Sequence, residues 1–377
     1  MKKRILILNY EFPPLGGGGG VAAKQLAKGF IKNGYDVDYV TTWFDDLKEF
    51  EKVEGVNVYR VKVIGRKELP TATMISLLTF PLKAYSRCCE LCRKNNYEFI
   101  NTQFAIPTGP LGVWISRKFN LKNIVSLHGG DIYDPTKRYS PHRKFYFRRL
   151  VKWVLNNSNL VVAQSSDTRK NALEIYKPNK DIKIIPLPYE PFKYRKISRA
   201  KLGLKEDLIY TISTGRLVKR KGFDFLIKSI AKTDKNIHAL ILGDGPEKEN
   251  LLNLATESGV SDRVHLLGFV SEEKKFQYLD NSDVYVLSSV HEGFGIVLIE
   301  AMMVGLPIIS TDNGGQVDFV TEGINGYLVT FGDVDKMVES INKVLENKKS
   351  FGKENIKKSK SYEIKKIARE YLKVMGI

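Results

Sequence analysis

The chain has 377 residues, more than one hydrophobic core usually serves, so two domains of about 180 residues are expected. Hydrophobic residues make up 43% and charged residues 27% of the sequence, a composition that excludes a disordered or fibrous protein. Lys and Arg number 60 against 42 Asp and Glu, and the net charge of +18 indicates a polyanionic partner surface such as a membrane or a nucleic acid.

The amino-terminal segment MKKRILILNYEFPP runs into Glu11 without a signal-peptide cleavage site, and no apolar run is long enough to span a bilayer. The three cysteines, Cys88, Cys89 and Cys92, share one predicted helix and are odd in number, which argues against a disulfide framework. No histidine or fourth cysteine lies nearby to complete a metal site. We therefore expect a cytoplasmic protein.

Short β-branched apolar runs alternate with helical stretches through the first half of the chain. The first strand is predicted over 5–8, followed by a glycine loop and a helix near 21–33. Further strands are predicted over 36–40, 56–61, 99–102, 124–126, 160–163 and 182–185. This alternation is typical of a parallel α/β sheet with crossover helices.

The most basic segment, KRYSPHRKFYFRRLVK, runs from Lys137 to Lys152 without an acid, and aromatic residues alternate with its cations. Such a helix suits the interface of an anionic bilayer, which would place the protein on the inner face of the cell membrane. An ordinary surface helix whose aromatic face packs on the domain core explains the pattern equally well. RNA binding is a weaker alternative, because no RNA-binding motif accompanies the segment.

A proline-rich passage at 185–195, IPLPYEPFKYR, is the predicted linker. Beyond it the alternation restarts, with strands predicted over 208–213, 238–242, 264–267, 284–287, 308–310 and 327–329. We expect domains at 1–187 and 188–359, with a helix at about 360–377 returning to the first domain. Two such halves facing each other would form an interdomain cleft at the carboxyl ends of their strands.

Residues 16–20 are all glycine and lie between the first predicted strand and its helix, where backbone N–H groups approach a phosphate or sugar closely. The run lacks the Gly-Lys-Ser/Thr of a Walker loop and the third spaced glycine of a dinucleotide fingerprint, and it also fits a flexible surface loop. His128 opens the sequence HGGD at the end of another strand. It is either a ligand-facing imidazole or an ordinary loop histidine.

In the second half, four cations stand between a strand and a helix that begins near Gly222: Arg216, Lys219, Arg220 and Lys221. Cations beside a helix start oppose its dipole, so this cluster predicts a bound anion, for which a diphosphate is suitable. The next strand ends in GDGP, residues 243–246, a second place where backbone can approach a ligand.

The stretch GFGIVLIEAMMVGLP contains one ionisable side chain, Glu300. Because an unpaired charge is costly to bury, Glu300 is expected at the lip of a cavity, where it would bind a ligand hydroxyl. The preceding turn, from His291 through Glu292 to Gly295, opens a helix whose free N–H groups favour an anion. Alternatively, Glu300 forms an interhelical salt bridge and Glu292 is a capping acid.

These motifs, in this order, resemble the large retaining glycosyltransferase family 4. The most specific is the EGFG turn, whose Glu292 is separated by seven residues from a second glutamate, Glu300, and which continues into AMMVGLPIISTDNGG. The segments LHGGD, GRLVKRKG and LGDGP accompany it. The resemblance implies the GT-B architecture, two Rossmann-like α/β domains whose parallel sheets face a cleft. It also implies transfer of a sugar from a UDP- or GDP-linked donor to a glycan or lipid-linked acceptor, in cell-surface polysaccharide, lipopolysaccharide or glycolipid synthesis, without a cofactor.

The resemblance also implies residue roles. Arg216 and Lys221 would hold the donor diphosphate, and Glu300 the ribose hydroxyls. Glu292 would contact the transferred sugar, with His128 beside it. The remaining donor contacts would come from three backbone sets: Gly293, Phe294 and Gly295 at the sugar; Gly243, Gly245, Phe269 and Val270 at the base; and Gly17, Gly18 and Gly19 over the phosphate or the acceptor.

Two departures from the family pattern stand out. The linker reads Pro-Tyr-Glu-Pro at 188–191, which affects the expected hinge geometry, and Gln316, Val317 and Asp318 stand where many members have a glutamate, which affects sugar or acceptor preference. The implied chemistry is departure of a nucleoside diphosphate, stabilised by fixed cations, with same-face attack of the acceptor. No metal is expected, since the acid pairs at 36/38 and 333/335 are interpreted as solvated acids or helix caps.

Three alternative functions remain open. A nucleotide-sugar 2-epimerase of the same fold needs additional acid/base groups that the sequence does not place. A glycan phosphorylase needs a pyridoxal-binding lysine in a longer chain. A membrane- or RNA-binding scaffold would explain the charge but gives Glu300 and Arg216 no role.

Overall fold

The protein is described by a computed structural model that covers residues 3–69, 71–136 and 139–377. The chain divides into two compact units. Unit 1 comprises the described residues up to 190 together with 362–377, and unit 2 comprises 191–361. The sequence analysis placed the first division after 187 and the return at about 360.

Unit 1 contains an eight-stranded sheet in the order β3-β4-β2-β1-β5-β6-β7-β8. Every neighbouring pair is parallel except β3 and β4. Its strands are β1 (Arg4–Leu8), β2 (Asp36–Trp43), β3 (Phe50–Val53), β4 (Val56–Lys62), β5 (Phe99–Gln103), β6 (Asn123–Leu127), β7 (Leu160–Ala163) and β8 (Lys183–Ile184). Its helices are α1 (Gly18–Lys32), α2 (Met74–Lys94), α3 (Gly109–Phe119), α4 (Phe145–Asn157), α5 (Ser166–Asn171) and, returning after unit 2, α12 (Ile364–Met375).

Strand β3 was not predicted from the sequence. It pairs antiparallel with β4 through a two-residue turn at Glu54 and Gly55, both of which have positive φ. Its side chains alternate between exposed and half-buried positions, so β3 lacks the apolar run that marks the other strands.

Alternate side chains of the unit 1 strands enter cores on opposite faces of the sheet. On β1, Ile5 and Ile7 pack with helices α1 and α12, whereas Leu6 and Leu8 pack with α2 and α3. Helix α4 extends the second core alongside α3. A sheet covered on both faces explains why β1 is apolar from Ile5 to Leu8 and why β7 (LVVA) is apolar throughout.

Helix α12 lies directly against α1, and Gly29 makes this close approach possible. A Cβ atom at Gly29 would stand 2.4 Å from the carbonyl oxygen of Ile364 and 2.9 Å from the Cβ of Ala368. Tyr371 of α12 adds an edge-on contact with Phe30 of α1, with ring centroids 6.2 Å apart. The packing of α12 therefore depends on the missing side chain at position 29.

We predict that Gly29→Ala lowers the free energy of unfolding by about 1–3 kcal/mol, because the added methyl group must push the backbone of α12 away. Gly130→Ala is the matched control, since a Cβ there would have no atom within 4 Å. Chemical denaturation of both variants measures the difference. Equal stabilities would show that α12 adjusts without cost.

Unit 2 contains a six-stranded parallel sheet in the order β11-β10-β9-β12-β13-β14. Its strands are β9 (Ile209–Thr214), β10 (Ile237–Leu242), β11 (Val264–Gly268), β12 (Val284–Leu287), β13 (Ile308–Thr311) and β14 (Gly326–Val329). Its helices are α6 (Phe223–Ile230), α7 (Lys248–Glu257), α8 (Glu272–Asp280), α9 (Ile296–Met303), α10 (Val334–Glu346) and α11 (Lys348–Ser359). The predicted class, two Rossmann-like α/β units built on parallel sheets, is confirmed.

Among the described residues, none of the helices combines the length and the apolar character that crossing a bilayer requires.

Candidate active site

The loop after β9 carries the predicted cations in a cationic turn, residues 216–221, which ends in a 3₁₀ helix at Lys219–Lys221. Gly222 follows with φ of 62° and begins α6. A Cβ there would overlap the carbonyl oxygen of Ser288 at 2.1 Å, so only glycine lets this turn lie against the end of β12. A hydrogen bond from the Val290 N–H to the Arg220 carbonyl, 2.8 Å, joins the two loops.

The buried carboxylate of Glu292 binds two cations of this turn. Its Oε1 lies 2.6 Å from Lys221 Nζ and its Oε2 lies 3.1 Å from Arg220 NH1. Ser289 Oγ also donates to Oε1 at 2.8 Å. Burial alone would raise the pKa of Glu292, but the charges of Lys221 and Arg220 and these hydrogen bonds lower it to about 2. Glu292 is therefore ionised at neutral pH and is more than a capping acid.

Arg216 differs from these two cations because its side chain is exposed to solvent. The turn thus presents Arg216 and Lys219 outward while Arg220 and Lys221 neutralise Glu292. Four cations against one carboxylate leave an excess of positive charge at the carboxyl end of β9.

Two glycines of the GDGP segment place the loop after β10 beside the cationic turn. A Cβ at Gly243 would stand 1.9 Å from the Gly215 carbonyl oxygen, and one at Gly245 would stand 2.4 Å from that of Leu217. The Leu217 N–H also donates to the Asp244 carbonyl at 2.9 Å. The two segments that the sequence analysis singled out separately therefore form one surface of unit 2.

Beyond β11, the predicted base contacts Phe269 and Val270 follow Gly268. The Gly243 N–H donates to the Gly268 carbonyl at 2.8 Å, which brings this loop to the same edge of the sheet. The side chain of Phe269 is 87% exposed. A solvent-exposed aromatic ring beside the GDGP segment is available to stack on a planar ligand.

Glu300 lies on α9 and is 6% exposed, but it is not the unpaired acid that was expected. Its Oε1 accepts a hydrogen bond from Lys275 Nζ of α8 at 2.8 Å. The interhelical salt bridge, left open as the alternative, is therefore present. Lys275 also lies 3.0 Å from Glu272, whose side chain is 60% exposed, so the ion pair reaches the protein surface.

The charges of the two glutamates act on one buried phenol, Tyr285. Burial raises the pKa of Tyr285, hydrogen bonding with Thr214 opposes the increase, and the negative charges of Glu300 and Glu292 raise the pKa further. Tyr285 Oη lies 2.9 Å from Thr214 Oγ1, at the end of β9. Both carboxylates thus lie close to the end of the strand from which the cationic turn emerges.

The turn from Glu292 to Gly295 is held from below by Gln316, which is fully buried. Gln316 Oε1 accepts from the Glu292 N–H at 3.1 Å, and its Nε2 donates to Thr311 Oγ1 at 2.9 Å. Phe294 is buried against Phe319, and Gly295 has φ of 105° and caps α9. The departure from the family pattern at position 316 therefore supports the backbone of the turn.

In unit 1, His128 follows β6 and is buried. Its ring stacks on Phe104 with centroids 4.2 Å apart, and its Nε2 lies 2.7 Å from Gln103 Oε1. Because the Gln103 amide donates to Asn101, its oxygen faces the imidazole, which assigns the proton to Nε2 and makes Nδ1 an acceptor. Burial lowers the pKa of His128 to about 3.

The glycine loop of unit 1 has a partner that the sequence analysis missed. The Glu11 carboxylate accepts from the N–H groups of Gly17 and Gly20, at 3.2 and 3.1 Å, and therefore caps α1. Gly18 and Gly19 form the first turn of that helix. Glu11 therefore occupies two N–H donors of the loop, and contact of Gly17, Gly18 and Gly19 with the phosphate or the acceptor stays a prediction.

The predicted membrane segment is only partly described, since Lys137 and Arg138 lie outside the described residues. Helix α4 buries its aliphatic side, Val151, Val154 and Leu155, in the core of unit 1. Its exposed rings, Phe145 and Tyr146, stand at its first turn. The helix therefore packs on the core, but through aliphatic side chains and not through the aromatic face that the alternative expected. Membrane binding by the segment stays a prediction.

The acid pairs interpreted as solvated acids or caps have different roles. Asp38 is fully buried, which makes the interpretation wrong for this residue: it accepts hydrogen bonds from Arg4, Asn57 and Tyr97. Asp333 caps α10 through the Lys336 N–H.

Comparisons with known families account for nearly the whole chain. Residues 16–191 match the family described as Glycosyltransferase Family 4, and residues 194–362 match the Glycosyl transferases group 1. The chain is a glycosyltransferase.

Relatives of this glycosyltransferase match it over nearly its whole length. An uncharacterised glycosyltransferase of Methanocaldococcus jannaschii is 27% identical, over 91% of this chain and 89% of that protein. The N-acetyl-alpha-D-glucosaminyl L-malate synthase of Bacillus anthracis is 28% identical, over 92% and 88%.

Solved structures share the GT-B fold of the glycosyltransferase. Sucrose-phosphate synthase from Thermosynechococcus elongatus superposes with a TM-score of 0.82 at 21% identity, covering 99% of this chain and 98% of that one. Anabaena HepE in complex with UDP superposes with a TM-score of 0.77 at 20% identity, covering 100% of both chains.

We predict that the ring of His128 does not titrate between about pH 8 and pH 5, because burial disfavours the imidazolium. In the unfolded chain the ring takes up a proton below about pH 6.5, so the free energy of unfolding decreases by up to about 1.4 kcal/mol per pH unit from there down towards the folded pKa. Ring NMR shifts test the first statement, and denaturation of the wild type and of His128→Asn across pH tests the second. A ring that titrates near pH 6.5 would contradict both.

Proposed function

We propose that the protein transfers a sugar from a nucleoside-diphosphate sugar to a glycan or lipid-linked acceptor, with retention of anomeric configuration and no requirement for a metal ion. Unit 2 would bind the donor, and unit 1 would bind the acceptor. The observation that carries the proposal is the cationic turn at the end of β9. Its four positive charges exceed the single negative charge of Glu292 beside it. The solved complexes of HepE with UDP and with UDP-glucose favour the same class of donor.

The first step is departure of the nucleoside diphosphate. As the bond between the anomeric carbon and the diphosphate oxygen breaks, negative charge grows on the departing diphosphate. Arg216 is exposed, so its guanidinium group can bind the diphosphate, and Lys221 is held in place by its ion pair with Glu292. A preorganised cation such as Lys221 needs no reorganisation at the moment of reaction, and together with Arg216 it would substitute for a divalent metal.

Glu292 and His128 would act as hydrogen-bonding groups and not as proton carriers. The pKa of Glu292 is lowered to about 2 and that of His128 to about 3, so at neutral pH both are acceptors. Acceptors suit the binding of sugar hydroxyls. The proton of the attacking acceptor hydroxyl would then pass to the departing diphosphate on the same face of the sugar, which is the step that gives retention.

The first test separates an enzyme from a scaffold. Thermal unfolding is measured with UDP, GDP, ADP and pyrophosphate, because a ligand that binds only the folded state raises the melting temperature. At least one nucleoside diphosphate should stabilise the protein. A flat response across the panel would favour a scaffold. Release of free sugar or nucleoside diphosphate from a labelled donor would then identify the substrate, and NMR of the product would report its anomeric configuration.

We predict that Arg216→Met weakens binding of the stabilising nucleoside diphosphate by at least about tenfold, since a hydrogen bond to a charged group contributes about 1.5–3 kcal/mol. Calorimetric titration measures the affinity. Lys228→Met, on the exposed side of α6, is the control and should bind as the wild type does. Lys221 suits this test less well, because its removal leaves the buried Glu292 carboxylate with one cation fewer. Unchanged affinity of the Arg216 variant would contradict the assignment.

We predict that Glu300→Gln lowers affinity for the nucleoside diphosphate but leaves that for pyrophosphate unchanged, because only the former has ribose hydroxyls. Titrations of the variant and of the wild type with both ligands measure the effects. If Glu300 were purely structural, its substitution would change both affinities alike or neither.

A further inference from the structure

Helix α2 carries an apolar stripe that faces solvent. Ile75, Leu78 and Leu82 follow helical spacing along one side, and their side chains are 57%, 55% and 66% exposed. Met74, at the start of the helix, is 45% exposed. The opposite side of α2 is already buried through Phe80, Ala84 and Cys88, so the stripe is additional to the contact with the core.

The stripe continues onto the loop after β4. Ile64 is 56% exposed, and its N–H donates to Thr79 Oγ1 of α2 at 3.2 Å. A Cβ at the neighbouring Gly65 would lie 3.4 Å from Ile75. Five large aliphatic side chains therefore form one exposed patch, and contiguous apolar patches of this kind mark contact surfaces more often than isolated exposed residues do.

A groove between α2 and α3 adjoins the stripe at Leu82. Its other lining residues are Tyr85, Trp114, Arg117 and Lys118. Tyr85 and Trp114 meet edge to face with centroids 6.4 Å apart, and Lys118 Nζ donates to the Tyr85 hydroxyl at 3.2 Å. Aromatic walls below two cations match an amphiphile with an apolar chain and an anionic head.

The charge of this face is one-sided. Helices α2, α3 and α4 together contain nine Lys and Arg residues and a single acid, Glu90. That acid is bound by Arg87 at 2.7 Å and by Lys94 at 2.8 Å, so it does not offset the remaining cations. The apolar stripe thus lies in a strongly positive surrounding.

We propose that this face of unit 1 binds an anionic lipid bilayer. The stripe of α2 enters the boundary between headgroups and acyl chains, the groove takes part of one acyl chain, and the cations of the three helices bind lipid phosphates. The apolar contact differs from the one predicted for the segment at 137–152, since the apolar side of α4 is buried in the core and α4 contributes only its cations. The proposal rests on the surface alone and does not require sugar transfer.

The proposal predicts that the protein sediments with vesicles of equimolar phosphatidylglycerol and phosphatidylcholine. The double variant Leu78→Ser and Leu82→Ser should lower the partition coefficient at least about tenfold, because two largely exposed leucines no longer transfer into lipid. The control is Ile324→Ser, an isoleucine of unit 2 that is 51% exposed. It should bind as the wild type does.

Two further readouts locate the contact. The double variant Arg117→Glu and Lys118→Glu should weaken binding to anionic vesicles, and raised salt should weaken binding of the wild type. Brominated acyl chains should quench the fluorescence of Trp114, and Trp114→Phe should remove that quenching. Each expected effect is independent of nucleotide sugar, so failure here leaves the proposed transferase activity standing.

Several outcomes would overturn the proposal. The leucine variant could bind as tightly as the wild type, or pure phosphatidylcholine vesicles could retain the protein equally well. A wild-type dimer that the leucine variant converts to a monomer, without any vesicle binding, would assign the stripe to a second copy of the chain. Retention of a homopolymer RNA without vesicle binding would assign the face to nucleic acid.

Discussion

The ion pair between Lys221 and Glu292 is the interaction on which the arrangement of unit 2 depends. The carboxylate follows β12 and the ammonium group follows β9, so their 2.6 Å contact joins the loops of two adjacent strands. Removing one partner from a buried ion pair typically costs about 3–5 kcal/mol. The pair can stay only because Arg220 and Ser289 satisfy the remaining acceptor positions of the carboxylate. A rigid positive surface results, with Arg216 at its exposed end.

The second carboxylate, Glu300, is paired with a lysine of a neighbouring helix and not with the cationic turn. Glu300 is neutralised by Lys275 from a neighbouring helix, and that lysine is shared with the exposed Glu272. Lys275 has two acidic partners, so it can stay paired with Glu272 when Glu300 binds a ligand. The salt bridge therefore does not conflict with ligand binding by Glu300. It compensates the charge of a buried carboxylate before a hydroxyl donor binds.

Much of the fold could be predicted from the sequence because strands buried on both faces are rich in apolar residues, and such short runs are visible without a structure. Strand β3 is half exposed and was missed for the same reason. The residue types of the candidate site were also visible, since loops at strand ends collect glycine and charge. Partners were not: Lys275 is 25 positions from Glu300, and only the packing of α8 beside α9 brings them together. The capping role of Glu11, six residues before Gly17, could not be predicted either, because a cap depends on backbone geometry.

The close fit of α12 on α1 has a consequence for biosynthesis. Residues 364–375 supply part of the core beneath the first sheet, yet they follow all of unit 2 in the chain. During translation, the face of α1 around Gly29 stays exposed to solvent until all of unit 2, residues 191–361, and then α12 have emerged from the ribosome. Unit 2, whose residues are continuous, can complete its core first. Premature termination anywhere after it would leave an apolar groove on unit 1, a surface that chaperones and proteases recognise.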